Sequence, residues 1–520
     1  MSLSNIDLAV VIIYAIAIFG LAQWVSRDKA GESKDSTDYF LASKSLPWWA
    51  IGASLIAANI SAEQIVGMSG SGYAMGIAIA SYEWMAAITL LIVGKYFLPI
   101  FLKNEIYTMP QFLEQRYGTS IRTLMAVFWL GLYVLVNLTS ILWLGSIAVN
   151  QVAGVNQDVA LIGLGIFALL YQLKGGLKAV ALTDIVQVTL LVLGGLIIAG
   201  ITLSKIGEGN GVLAGFTKLM ERAPEKFDMI LSKDNPFYKD LPGISVLIGG
   251  MWIMNLSYWG FNQYIIQRAL AAKDLKEAQK GIAFAAYLKL LMPVVVVLPG
   301  VAAVLLAPGL VKPDQAYPTM MKLLPSGLLG LVFAALIAAI IASTASKINS
   351  IATIFTLDIY NQRGVKHDEQ KLVRVGKISA VVALVLAIAS ARPLLGSFDQ
   401  AFQYIQEYTG FFTPGICVIF FLGLFWKKAS EAGALAAAGG SFLLSIALKF
   451  AWPELPFIDR VGLVFLLALG LAVVVSLAKP GAANANRIDT GGVSYATTSG
   501  FNMASAGVIA ILIALYAVWW

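Results

Sequence analysis

The sequence predicts an all-α, polytopic membrane protein of about fourteen transmembrane helices. Three observations predict it. The 520 residues are 59% hydrophobic and only 12% charged, about half the charge of an average soluble chain. Apolar segments recur from end to end, near the roughly 20 residues that a bilayer requires. Lys and Arg gather in alternate connections, the pattern that the positive-inside rule gives a multi-pass chain. The net charge of +7 is therefore spread over loops and is no nucleic-acid footprint. The lone cysteine, Cys417, lies in an apolar run, which leaves no disulfide framework and no thiol metal site. The lone histidine, His367, sits in a charged loop, which argues against histidine-based catalysis or a histidine metal cluster.

The apolar segments run near 7–25, 48–68, 78–101, 122–148, 158–173, 179–203, 242–265, 281–307, 325–357, 374–391, 398–425, 432–450, 460–478 and 502–519. The first lacks a basic leader and is long enough to span, so it reads as a helix and not as a cleaved signal. Basic loops follow it at Arg27 to Lys44, then at Lys103 to Arg122, Lys174 to Lys178, Arg268 to Lys280, Arg363 to Lys377, Lys427 to Lys428 and Lys479 to Arg487. The loops 69–77 and 149–157 carry no basic residue. This places the basic loops in the cytoplasm, with both termini outside. The long loop 204–241, with six basic and six acidic residues, is neutral on the question.

Two spans are expected to be interrupted. In 52–86, the residues Asn59, Ser61, Glu63 and Gln64 break an apolar helix and Gly67, Gly70 and Gly72 follow. Irregular backbone at membrane depth is tolerated only where it faces protein or a water-filled cavity. A broken span of this kind points to a transporter's binding site. The next span carries Glu83, an intramembrane carboxylate and hence a functional candidate. Five spans later, Asn255 to Gly260 is expected to break a helix of opposite direction. Paired discontinuous helices of opposite orientation indicate inverted repeats. The expected organisation is an additional helix and loop (1–47), a first repeat (48–203), an outer loop (204–241), a second repeat (242–425) and three additional helices (426–520).

A neutral polyol in a dry pocket needs side chains that pair with its hydroxyls, and amides and carboxylates suit this. Gln64, Glu83, Asn255, Lys289 and Gln406 are the candidates. Glu407 cannot share a helix face with Gln406 and reads as structural.

The runs SLPWWAIGASLIAANISAEQIVGMSGSGY (45–73), ASYEWM (80–85), YWGFNQYIIQRALAAK (258–273), IFTLDIY (354–360) and QAFQYIQEYTGFFTPGICVIFFLGLFWKKAS (400–430) resemble the sodium/solute symporter family. The resemblance falls in its bacterial sodium/galactose (sodium/glucose) branch. It implies fourteen helices with a leucine-transporter-type five-plus-five inverted repeat, and sugar import coupled to sodium by alternating access. The five candidates match, position by position, the residues that hold the sugar in that branch. The resemblance adds Tyr258 as the inner gate, Tyr82 and Phe402 beside it, and Asn59 and Met68 on the far side. Ala86 stands where the branch has a serine, and Ser257 where it has a tyrosine, which leaves open another hexose or a related polyol such as an inositol, or a sialic acid.

For the ion, the resemblance implies the carbonyls of Ala57, Ile60 and Ala339 with the hydroxyl of Ser343. Ala342 replaces the usual neighbouring hydroxyl, and Thr344 points about 100° away. Lys347 lies one turn beyond Ser343, with Asp184 as its expected counter-charge. The pair is either a plain ion pair near the cytoplasmic exit or a lysine that partly substitutes for sodium. An intramembrane enzyme would need an Asp pair, a Ser/His pair or a zinc motif, and none is present, so no enzyme is expected. The expected partners are sugar, sodium and lipid, and an oligomer is not required for transport.

Overall fold

The computed structural model describes residues 3–25, 47–106, 109–174, 177–361, 369–481 and 488–520. Every regular element among the described residues is helical, and each of the fourteen predicted segments falls on helical chain. Among the described residues, nine of the helices are long and apolar enough to cross a membrane, or ten if Ala401–Thr409 and Thr413–Phe425, bent by 42°, form one span. In one of these, Glu63–Lys103, Gly76 with φ 79° turns the chain. That run therefore holds the second half of one interrupted helix and then a separate helix.

The first interruption lies where the polar residues predict it. Helix Trp48–Asn59 ends at Ile60, which is extended (φ −73°, ψ 114°). Ser61 then starts the next segment. Its hydroxyl accepts from the Glu63 amide at 3.2 Å, and its carbonyl accepts from the amides of both Gln64 and Ile65. The chain continues as a widened turn, Glu63–Gly67, and a helix, Met68–Met75. Lys226, in the connection 204–241, donates to the carbonyl of Ala74 at 2.7 Å and satisfies one orphan group at that helix end.

The second interruption is displaced from its expected position. Asn255 to Gly260 lie inside a continuous helix, Gly250–Phe261. The Asn255 side-chain amide Nδ2 donates to the carbonyl of Met251 one turn back, at 3.1 Å, so this polar side chain finds a partner without a break in the helix. The chain opens instead at Asn262, which is extended (φ −85°, ψ 120°), before helix Gln263–Leu270. The Asn262 carbonyl accepts from the amides of Ile265 and Ile266, the pattern seen at Ser61.

Helix Leu275–Val295 packs against both Trp48–Asn59 and Ser81–Ile92, and Val297–Leu306 packs against Met68–Met75. The last contact is close because Gly300 has no side chain: a Cβ there would lie 2.0 Å from the Ser69 carbonyl. Small residues allow such approach where no hydrophobic force drives helices together. Helix Leu328–Thr353 packs against Asn5–Val25, Gln157–Lys174 and Leu177–Ile206. Asp7 joins the first of these to its neighbour, accepting from the amides of Gly327 and Gly330 at 2.7 and 2.8 Å. Large apolar side chains such as Ile13, Phe167, Leu466 and Ile513 stay exposed on outer helices, the surface that lipid would cover.

Charged residues of the quoted motifs fasten helix ends. Arg122 donates to Asp358 and, at 2.9 Å, to Glu114. Glu407 pairs with Lys449 at 2.9 Å and Arg460 at 3.0 Å, a structural role as expected. In the loop after Leu306, Asp314 accepts from the Ala401 amide at 3.0 Å and so caps helix Ala401–Thr409. Burial raises the pKa of Asp314 to about 7, partly offset by that amide and by Lys312, while Asp399 adds to the rise.

Candidate functional site

The two interruptions flank an internal cavity of about 110 Å³, room for several waters or a small solute. Gln64, Glu83, Asn255, Lys289 and Gln406 all line it, and so do Tyr258, Tyr82, Phe402, Asn59 and Met68. Five helices, the first of them interrupted, bring these residues together. The first half-helix supplies Asn59, and its continuation Gln64 and Met68. Helix Ser81–Ile92 supplies Tyr82 and Glu83, Gly250–Phe261 supplies Asn255 and Tyr258, Leu275–Val295 supplies Lys289, and Ala401–Thr409 supplies Phe402 and Gln406. Ala86 and Ser257, the two departures, also face the cavity.

The polar groups form one chain. Lys289, fully buried, donates to Glu83 Oε2 at 2.6 Å and to Asn59 Oδ1. Its ammonium also lies 4.9 Å from the centroid of the Trp259 ring. Gln64 donates to the other oxygen of Glu83 and sits 3.6 Å from Met68 Sδ. Asn59 Nδ2 donates to the Tyr258 hydroxyl at 3.0 Å. A carboxylate so buried requires this kind of satisfaction, since an unpaired one would cost several kcal/mol. Tyr82 meets Phe402 edge to face with centroids 5.2 Å apart. The hydroxyls of Tyr82, Thr409 and Thr413 are buried with no hydrogen-bond partner among the described residues. All three residues line the cavity. Unpaired hydroxyls and amides beside aromatic faces suit a neutral, hydroxyl-rich solute.

Sequence reasoning missed Glu63, Asn137, Asn262 and Trp259, which share the wall. Glu63 accepts from the Ser140 hydroxyl at 2.8 Å and interacts electrostatically with Lys347. Lys347 is buried, 4.8 Å from the centroid of the Tyr133 ring. Glu63 is thus an acidic neighbour of Lys347 that the sequence reading left out; the side chain of Asp184, its expected counter-charge, lies outside the described residues. Tyr133 in turn donates to Asn262 Oδ1 at 3.4 Å.

Ala57 is buried at the end of the first half-helix, and Ile60 is the extended residue of the break. Ala339 and Ser343 lie four positions apart on helix Leu328–Thr353, Ala339 buried and Ser343 half-buried. Among the described residues no cluster of three or more His, Cys, Asp or Glu could hold a metal ion.

The sodium:solute symporter family profile matches residues 39–439. A sodium/glucose cotransporter of Vibrio parahaemolyticus is 50% identical over 541 aligned positions, covering 100% of this chain and 99% of its own. Sodium/myo-inositol cotransporter 2 of Mus musculus is 33% identical over 86% of this chain and 70% of its own. Sodium/glucose cotransporter 1 of Ovis aries is 32% identical over 85% and 71%. Among solved structures, a substrate-bound, outward-open Na⁺-coupled sialic acid symporter superposes with a TM-score of 0.75 at 23% identity, over 92% of this chain and 98% of that one. That likeness concerns the fold. With a family match over most of its length and a full-length relative at half identity, the chain belongs to the sodium:solute symporter family.

Proposed function

We propose that the chain is a sodium-coupled secondary active symporter that imports a hexose-like sugar by alternating access. The observation that carries this reading is the convergence of Gln64, Glu83, Asn255, Lys289 and Gln406, with Tyr258, Tyr82, Phe402, Asn59 and Met68, on one buried cavity. The relative from Vibrio parahaemolyticus, a sodium/glucose cotransporter by name, supports the choice of sugar and cation. No enzymatic role is part of this reading.

In this reading fourteen helices cross the bacterial inner membrane, both termini lie outside, and 48–203 and 242–425 are inverted repeats. The matched chain paths at Ser61 and Asn262 support the repeat. Tyr258 closes the sugar from the inside, held by Asn59. Sodium sits at the carbonyls of Ala57, Ile60 and Ala339 and the hydroxyl of Ser343, and leaves by way of Asp184 and Lys347. One inward charge across 100 mV supplies about 2.3 kcal/mol. A tenfold sugar gradient needs about 1.4 kcal/mol. One sodium per sugar thus supports accumulation of roughly tens-fold from the potential alone.

Ala86 and Ser257 in the wall keep an inositol in play as a second substrate reading, since mammalian relatives are sodium/myo-inositol cotransporters by name. The test is uptake into proteoliposomes with an imposed sodium gradient. Labelled glucose or galactose should accumulate above the outside level and should be competed weakly by myo-inositol. Uptake indifferent to sodium would remove the coupling and favour the reading in which Lys347 stands in for the ion.

A further inference from the structure

A second cavity, of about 220 Å³, lies apart from the sugar pocket and shares no wall residue with it. It sits where helix Thr139–Ala153 ends, Gln157–Lys174 begins, and Glu369–Leu395 ends. The connection 149–157, without a basic residue, puts this end of the bundle outside. Trp143 and Ile147 give the cavity an apolar wall. Its polar groups are amides and two cations: Asn150, Gln151, Gln157 and Gln315, with Lys312 and Arg392.

Both cations are already engaged. Arg392 donates to both oxygens of Asp158, at 2.7 and 2.9 Å. Lys312 donates to the carbonyl of Gly396 at 2.8 Å. The cavity therefore makes little demand for an anion. Asn150 Nδ2 donates to the Val155 carbonyl at 2.8 Å, but Gln157 Nε2 is buried with no hydrogen-bond partner among the described residues. A buried donor in that condition is costly, and a ligand hydroxyl would relieve it. Neutral amides around an indole face are the chemistry that recognises a polyol.

We propose that this cavity is a second, outer binding site for a polyol of the hexose class. The proposal goes beyond the sugar reading of the main site and rests on it only for the choice of hexose. The fold links the two sites. Lys312 and Gln315 wall the outer cavity, and Asp314 between them caps Ala401, the first residue of the helix that carries Phe402 and Gln406.

Equilibrium binding of radiolabelled D-glucose and D-galactose to the purified full-length chain tests this. Two molecules per chain are expected at saturation. Asn255→Ala should lose the tighter one and keep the other. The double variant Gln151→Leu/Gln157→Leu should bind one and keep its uptake rate at saturating sugar. Gln151→Trp, which fills the cavity from a half-buried position, replaces it should the double variant misfold. One molecule per chain, lost with Asn255→Ala, overturns the outer site and leaves the main one standing. Two molecules persisting in both cavity variants also overturn it. A chain that binds no hexose sinks both readings.

Discussion

Replacing Lys289 tests the polar chain at its most exacting point. Its side chain has no exposed surface, and that of Glu83 is 4% exposed. Lys289→Met removes the cation 2.6 Å from Glu83 Oε2 and leaves the carboxylate with Gln64 alone. Breaking a buried pair from one side costs about 3–5 kcal/mol, because the remaining charge stays uncompensated. Removing both charges is far milder, often neutral. Glu83→Gln/Lys289→Met should therefore recover most of the stability that Lys289→Met loses. The coupling in the double-mutant cycle should reach about 3 kcal/mol, the top of the 0.5–3 range of contacting pairs. Unfolding in mild detergent, followed by tryptophan emission, gives the four free energies. Hexose binding should be lost in all three variants, since the double variant restores shape and not donors. A single substitution costing under about 1 kcal/mol, or a double variant as unstable as the summed singles, would refute the argument from an uncompensated charge.

Other expectations follow from the same geometry. Tyr258→Phe removes the acceptor for Asn59 Nδ2. It should weaken hexose retention by roughly three- to tenfold, read as faster release in a dissociation assay, since one net hydrogen bond is worth about 0.5–1.5 kcal/mol. Gly300→Ala would place a Cβ 2.0 Å from the Ser69 carbonyl. Overpacking of that kind costs about 1–3 kcal/mol and should lower the melting temperature of the purified protein. Asp314 gives a pH dependence. Its pKa of about 7 in the folded protein lies above its ordinary 3.8. The folded chain therefore keeps a proton that the unfolded chain has lost. Its contribution is full below about pH 4 and declines as pH rises toward 7. Asp314→Asn keeps the cap on Ala401 without the charge, so it should match the wild type near pH 4 and exceed it in stability at pH 8. A flat difference between the two across that range would contradict the assignment.

The helical class and the first interruption were legible because physics leaves few alternatives. A segment apolar enough for lipid yet holding Asn59, Ser61, Glu63 and Gln64 must turn those groups toward protein or water. The second interruption was misplaced for an instructive reason. Asn255, Ser257 and Tyr258 looked like a break because they are polar. They lie on an intact helix whose face meets the cavity. The break at Asn262 has no glycine beside it and is a matter of backbone angles. Glu63 was read as part of an irregular stretch, so its place beside Lys347 and in the wall was missed. Asn137 gave no signal beyond being one amide in an apolar span. The proposed ion ligands are mostly carbonyl oxygens, which every residue type carries, so no side-chain pattern spells them out.

The Asp7 contact has a mechanical consequence. A helix outside the proposed repeats is clasped, through one carboxylate, to the amides that begin Leu328–Thr353. Gly330 abuts it so closely that a Cβ would lie 2.6 Å from the Asp7 backbone. Whatever tilt that longer rod undergoes, Asn5–Val25 rides along as its outrigger. A spectroscopic tag on the peripheral rod would thus report the swing of the inner one from a position that leaves the sugar chamber untouched.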